Sequence, residues 1–423
     1  MGIMIESSKS DEANQFILRK GFSGNHPTFW HDLIIHLRDG EIFMVSYEKP
    51  IRPDEIEHIT VYRKDDEYAG WPFNGGFWQF SNGELLVGFN RNKCRYQSLE
   101  DVAHSRIQLG DGQLVTMRSK DGGYTWPMEH LNVIIESKAM LRAKILHYPV
   151  ERNPLPKPKP ADFSNPDVAL AVETPLGNER GPTAYFITRN RGYTWEGPHL
   201  LYDPLFETIQ ARPSYVLRPD GMLLWFVQGT RWDEFQRGEK KKAPEGRPMI
   251  IASVDGAVNW RFLSYIVPSY TDPPKICPHP TVLPDGEIVV ALRNHWPDWR
   301  LDWTEIYVSE DGGLTWRFLS RVNEWGAPAS LLVLKDGRLL CTYGYRMPPY
   351  GIRAKISQDG GETWGKEIIL RDDGGSPDLG YPRCLLLPDG RVIVVYYFNK
   401  AEDLVNCSGG VRYIAATIFE VPY

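Results

Sequence analysis

One octet recurs five times along the chain: SKDGGYTW (Ser119–Trp126), TRNRGYTW (Thr188–Trp195), SVDGAVNW (Ser253–Trp260), SEDGGLTW (Ser309–Trp316) and SQDGGETW (Ser357–Trp364). Self-similarity of this kind is the mark of one supersecondary unit copied and stacked. The octet reads as a hairpin turn. Its Asp bonds the backbone of its own turn, the Gly that follows accepts positive φ, and the closing Trp covers the hairpin base. A second repeat interleaves with the first. Apolar strand pairs flank Asp39-Gly40, Asn82-Gly83, Asp220-Gly221, Asp285-Gly286, Asp336-Gly337 and Asp389-Gly390. Asn-Gly or Asp-Gly between apolar runs is the strongest short-range hairpin signal. The octet ending at Trp195 has no such turn before it. Its unit is expected to take a first strand from Val133–Tyr148 and later strands from Asp167–Glu173 onward.

Composition supports many short strands. The chain of 423 residues holds 38 Gly, 33 Pro and 14 Trp, and Gly and Pro cost about 1 and 3 kcal/mol at interior helix positions. A hydrophobic content of 42% excludes disorder, and no apolar run approaches the roughly 20 residues that span a bilayer. The net charge of −6 speaks against a nucleic-acid partner. The five cysteines are scattered without a CxxC pair and read as reduced structural thiols. The first residues show no basic segment leading into an apolar one, so the expectation is a cytoplasmic protein. A secreted chain shorn of its leader would look the same.

The octet matches the Asp box, S-x-D-x-G-x-T-W, and at these residues the chain resembles the sialidase (neuraminidase) superfamily of Asp-box, or BNR-repeat, β-propellers. The resemblance implies an all-β fold: one domain over 1–423, a β-propeller of four-stranded antiparallel blades. Seven blades are favoured, with six as the alternative. N- and C-terminal strands would close the last blade, Phe16–Phe22 being available beside Arg412–Val421. The boxes would be outer staples, and the active site would lie on the axis. There it would be lined by residues entering each innermost strand or leaving each second strand.

That rule yields the candidate site. Substrate-binding candidates are Arg91, Arg212, Arg293, Arg346, Arg383 and Trp325. Catalytic candidates are Asp32 or Glu48 as acid/base, Tyr345 or Tyr381 as nucleophile, and His31 and His279 as proton carriers. Several arginines around one pocket repel each other unless an anion fills it, and guanidinium groups grip carboxylates bidentately. An anionic carbohydrate is therefore the expected substrate. The sialidases' early Arg-Ile-Pro motif has no counterpart in HPTFWHDLI (His26–Ile34). Gly344–Arg353 is expected to be a stacking and anion-binding wall, and Asp372–Arg383 a pocket rim. His104 falls in a predicted loop with no assigned role.

The leading functional expectation is a sialidase-like glycoside hydrolase releasing a terminal acidic sugar. The alternatives are a lyase cleaving at uronate by β-elimination with His, Tyr and Arg, and a non-catalytic glycan-binding propeller. No metal-ligand spacing is present and no cofactor is predicted. A structural Ca²⁺ held by backbone oxygens would leave no trace in sequence, and oligomeric state is equally unreadable.

Overall fold

The computed structural model describes residues 2–10, 13–21, 32–38, 41–45, 49–145, 156–174, 182–238, 246–403, 405 and 409–422. The chain divides into two compact units, 1–51 and 52–423. The first unit is an antiparallel meander of Gly2–Ser10, Ala13–Gly21, Asp32–Arg38 and Glu41–Val45.

The second unit is a propeller of six sheets. Blade I comprises Glu67–Gly70 with Phe77–Gln79, then Leu85–Lys93, Gln113–Ser119 and Asn132–Ile135. Blade II has three strands among the described residues: Ala169–Glu173, Thr183–Thr188 and Glu196–Leu201. Blade III is Phe206–Leu217, Leu223–Arg231, Arg247–Ser253 and Arg261–Tyr265; blade IV is Lys275–Val282, Ile288–Asn294, Trp303–Ser309 and Arg317–Arg321. Blade V is Ala329–Val333, Leu339–Tyr345, Gly351–Ser357 and Ile368–Arg371. Blade VI is Gly380–Leu386, Val392–Phe398, Tyr413–Phe419 and, as its outermost strand, Ile56–Tyr62.

Six blades replace the seven favoured from sequence, for a definite reason. The hairpin around Asp39-Gly40 has the apolar pattern of an inner blade hairpin. Its strand Asp32–Arg38, however, pairs with Ala13–Gly21 and Glu41–Val45 inside the first unit. Pattern alone cannot tell which sheet a hairpin joins. The strand that pairs with Tyr413–Phe419 is Ile56–Tyr62, whereas Phe16–Phe22 falls largely in the meander strand Ala13–Gly21. The expected first strand of the Trp195 unit is also reassigned. Asn132–Ile135 is the fourth strand of blade I, and Lys138–Ile145 is a helix.

The boxes join the third strand of a blade to its fourth, and blade II holds its box between its last two described strands. In box one, Asp121 accepts from the Ser119 hydroxyl at 2.7 Å, the Thr125 hydroxyl at 2.6 Å, and the Tyr124 and Thr125 amides. Asp311 repeats the set; burial opposes its charge, but hydrogen bonds from Thr315, Ser309 and Leu314 outweigh that and bring its pKa down to about 2. Each box Trp then wedges between blades. Trp126 joins the core shared by blades I and VI, Trp195 that of I and II, Trp260 that of II and III, Trp316 that of III and IV, and Trp364 that of IV and V.

The box glycine serves this close approach. Gly123 has φ +97, and a Cβ there would lie 2.3 Å from Ile393 Cδ1 in the neighbouring blade. Gly123→Ala is therefore expected to cost about 1–3 kcal/mol, read as a lower urea midpoint at unchanged m-value. Gly83→Ala has positive φ but nothing within 4 Å of the new Cβ. It should cost less, which separates the steric part from backbone strain.

Candidate active site on the propeller axis

Four inner strands enter the axis with the same kind of dipeptide: Trp71-Pro72, Arg212-Pro213, Cys277-Pro278 and Tyr381-Pro382. Proline has no N–H for the ladder, so within a sheet it settles at a bulge or edge. The register slips at these places, between Ala211 and Tyr215, between Ile276 and His279, and between Gly380 and Arg383. In blade I the short helical turn Pro72–Gly75 interrupts the strand outright. That turn lies so close to the next strand that a Cβ on Gly75 would sit 2.0 Å from the Gly88 carbonyl oxygen. Bulges re-aim side chains, and Trp71, Cys277 and Tyr381 take φ of 57, 56 and 52 degrees. Such backbone costs of order 1–3 kcal/mol and persists where the surroundings over-determine it, most often at functional sites.

The residue two positions further on packs into the axis itself. Arg383 donates from Nε and Nη2 to the Phe73 carbonyl at 3.2 and 2.8 Å, and from Nη2 to Ser214 Oγ at 3.0 Å. Its guanidinium lies 4.6 Å from the Phe73 ring centroid. His279 packs 5.8 Å from the same ring, accepts from the Leu331 amide at Nδ1 and meets Ser330 Oγ at Nε2. Burial, with the Arg383 charge nearby, pulls the His279 pKa well down and keeps the ring neutral.

Around the mouth of this packed axis two polar clusters meet. The first centres on Asp378, in the segment leading into blade VI. Its carboxylate accepts from Tyr397 at 2.7 Å, Tyr68 at 2.9 Å, Arg412 Nε at 2.9 Å and His104 Nε2 at 2.6 Å. Burial works against its charge, but His104, Arg412 and the Tyr397 bond hold the carboxyl far below the usual range. Burial, and then the same carboxylate, push Tyr68 and Tyr397 well up.

The second cluster spans blades IV to VI. Arg293 pairs through Nε with Asp302, donates from Nη1 to the Tyr381 hydroxyl at 2.8 Å and meets His295 Nδ1 at 3.2 Å. Burial opposes the Asp302 charge, yet Arg293 and His295 keep its carboxyl low. Arg346 lies 4.8 Å from the Trp299 ring centroid and 5.4 Å from that of Tyr381. It is 2% exposed, and its Nε and Nη2 have no hydrogen-bond partner among the described residues.

The clusters close into one ring of contacts. His104 stacks on Trp299 at 6.3 Å and meets Trp71 edge-on at 5.4 Å, and Tyr381 lies 6.0 Å from Tyr397. The circuit runs His104, Trp299, Arg346, Tyr381, Tyr397, Asp378 and back to His104. Among the described residues no group of three or more His, Cys, Asp or Glu is placed to hold a metal ion.

Of the residues expected from sequence, the structure brings Arg293, Arg346 and Tyr381 together here. Arg383 and His279 occupy the packed axis, and Arg212 reaches it by donating to Asn74 and Gln228. Arg91 is held at the blade I edge by Gln113 and Tyr62. Tyr345 lies under the Arg353 guanidinium, and Trp325 packs against the blade IV–V core. Asp32 opens a strand of the first unit, while His31 and Glu48 lie outside the described residues. Sequence reading placed Asp378 only within the expected rim Asp372–Arg383, without a role, and missed His104, Trp299 and Asp302. The repeated X-Pro entry to the inner strands is the signal that marks Trp71 and Tyr381 as axial. His104 carries no comparable mark, since it comes from the connection between the second and third strands of blade I.

The BNR repeat-like domain family matches residues 168–394. Comparison with curated proteins finds no match. Among solved structures, a Dyadobacter fermentans protein of unknown function superposes with a TM-score of 0.64 at 24% identity, covering 88% of this chain and 99% of that one. The Hadza microbial sialidase Hz136 gives a TM-score of 0.53 at 16% identity over 84% of this chain and 66% of its own. The Penicillium chrysogenum α-L-arabinanase, complexed with arabinobiose, gives 0.52 at 14% identity over 86% and 97%.

Asp378→Asn tests the first cluster. Removing the charge leaves Arg412, 1% exposed, buried without its counter-ion. The expected cost is about 3–5 kcal/mol at neutral pH, measured by chemical denaturation. The sign with pH follows from a folded pKa below the unfolded value of about 3.9. The carboxylate's contribution is complete above that value and drains away as pH falls towards the folded pKa. Wild-type stability should therefore fall through this acid range by more than that of the variant.

Proposed function

Because the chain belongs to the BNR repeat-like domain family, we propose that it is a glycoside hydrolase of sialidase-like architecture that releases a terminal acidic sugar at the axial site. The observation that carries this reading is Arg346. A buried guanidinium with open N–H groups has lost its hydration without replacement, which is costly unless an acceptor arrives. An anionic sugar group between Trp299 and Tyr381 would supply both charge and acceptors. Arg383, whose hydrogen bonds go to a carbonyl and a hydroxyl, adds uncompensated positive charge in the axis behind it. Trp299 offers apolar surface for the face of a sugar ring, while the buried Trp71 supports His104 from beneath.

Tyr381 is the proposed nucleophile. Its backbone strain and the hydrogen bond from Arg293 fix the phenol at the mouth of the site, and tyrosine is the known nucleophile of sialidases. The arrangement supports hydrolysis in preference to mere glycan binding because aromatic walls, a fixed phenol and an open guanidinium converge at one point.

The test is a panel of sialosides, uronosides, rhamnosides and arabinosides with product analysis. Release of a saturated acidic monosaccharide is expected. An unsaturated product absorbing in the ultraviolet would replace hydrolysis by β-elimination, and neither turnover nor binding would remove the reading. Arg346→Ala is expected to raise KM for the acidic sugar on the order of 10–100-fold, since charge-assisted hydrogen bonds contribute roughly 1.5–3 kcal/mol. KM for a neutral analogue should stay the same.

A further inference from the structure

A glycosidase needs an acid at the departing oxygen, and the site as described holds its carboxylates elsewhere. Asp302 is 1% exposed and paired with Arg293. Asp378 is buried and filled by four donors. Neither presents a proton outward.

His104 stands differently. Its side chain is 36% exposed although Nε2 is only 2.6 Å from the buried Asp378. Because Asp378 is an acceptor, Nε2 carries a hydrogen, and Nδ1 lies on the part of the ring left free to meet a ligand. The ring is held edge-on to the buried Trp71 and stacked on Trp299, so its direction is fixed. A carboxylate behind a histidine, fixing its tautomer and direction, is an arrangement suited to proton transfer.

Resting on the hydrolase reading above, we propose that His104 is the general acid of the axial site and that Asp378 is its positioning residue. As the glycosidic bond breaks, Tyr381 Oη bonds to the anomeric carbon and its proton passes to solvent; the electron pair of the broken bond goes to the leaving oxygen, which takes the proton from His104 Nδ1. A water then displaces Tyr381 from the anomeric carbon and gives one proton to the imidazole, and the phenolate takes back a proton from solvent, so that the enzyme is restored and one water is consumed per bond cleaved.

The experiment varies the leaving group on whichever glycoside the panel shows to be cleaved. Acid catalysis matters when the leaving oxygen is a poor leaving group and little when it is a good one. His104→Gln, which keeps a donor for Asp378, should lose roughly 10²–10⁴-fold in kcat on a sugar-alcohol leaving group. On the dinitrophenyl glycoside of the same sugar the loss should be within a few-fold. Added imidazole should restore part of the His104→Ala activity on the sugar-alcohol substrate. Equal losses on both leaving groups, without rescue, would show a structural role and overturn the assignment while leaving the hydrolase reading intact. Failure of the wild type to cleave any glycoside would overturn both together.

Discussion

The carboxylate of Asp378 is the point on which the propeller's closure turns. A ring of blades must join its last member to its first, and here the junction is electrostatic as well as apolar. Tyr68 and His104 come from blade I and its connections, while Tyr397 and Arg412 come from blade VI, and all four donate to one buried carboxylate. Beside it, apolar side chains of both blades form one continuous core. Burying a charge is expensive in isolation; four donors in fixed positions make it tolerable, and they also make it specific. The site inherits its rigidity from this seam, because His104, one of the four donors, is also the part-exposed group at the site.

A second constraint is the density of the axis. Inner strands from several blades converge there, and straight ladders would aim the same face of each at one crowded line. The X-Pro bulges resolve this. They shift the side-chain phase, so that Tyr381 turns to the mouth while Arg383 hydrogen-bonds to Phe73 and Ser214 in the interior and His279 packs on the Phe73 ring. Strained backbone at φ near +55° is the consequence, tolerated because the surrounding strands leave no alternative. The site thus combines rigid strand ends, which carry Arg293, Arg346 and Tyr381, with connecting segments that bring in His104, Trp299, Asp302 and Asp378.

Much of this was legible in the residues. The five octets and the Asp-Gly turns announce a propeller, because each encodes its turn locally in Asp hydrogen bonding and glycine conformation. That Arg293, Arg346 and Tyr381 come together follows from a simple positional rule, since strand ends in a propeller face the axis whatever their neighbours. The blade count was not legible, because the hairpin at Asp39-Gly40 carries the same alternation as a blade hairpin and differs only in its pairing partners. Arg383 and His279 were placed at the mouth by a rule that assumes an unbroken strand. The bulge at Tyr381-Pro382 moves Arg383 into the packed axis, where the Phe73 carbonyl occupies it.

The sequence by itself determined the all-β class, the hairpin turns, the Asp-box staples and the family, since these depend on residues close together along the chain. Only the tertiary structure decided how many blades close the ring, which strand seals it, and that His104 and Asp378 meet. Those two residues lie 274 positions apart. No local propensity couples them. They become neighbours because closure of the propeller brings blade VI against blade I, and the buried carboxylate then needs every donor within reach.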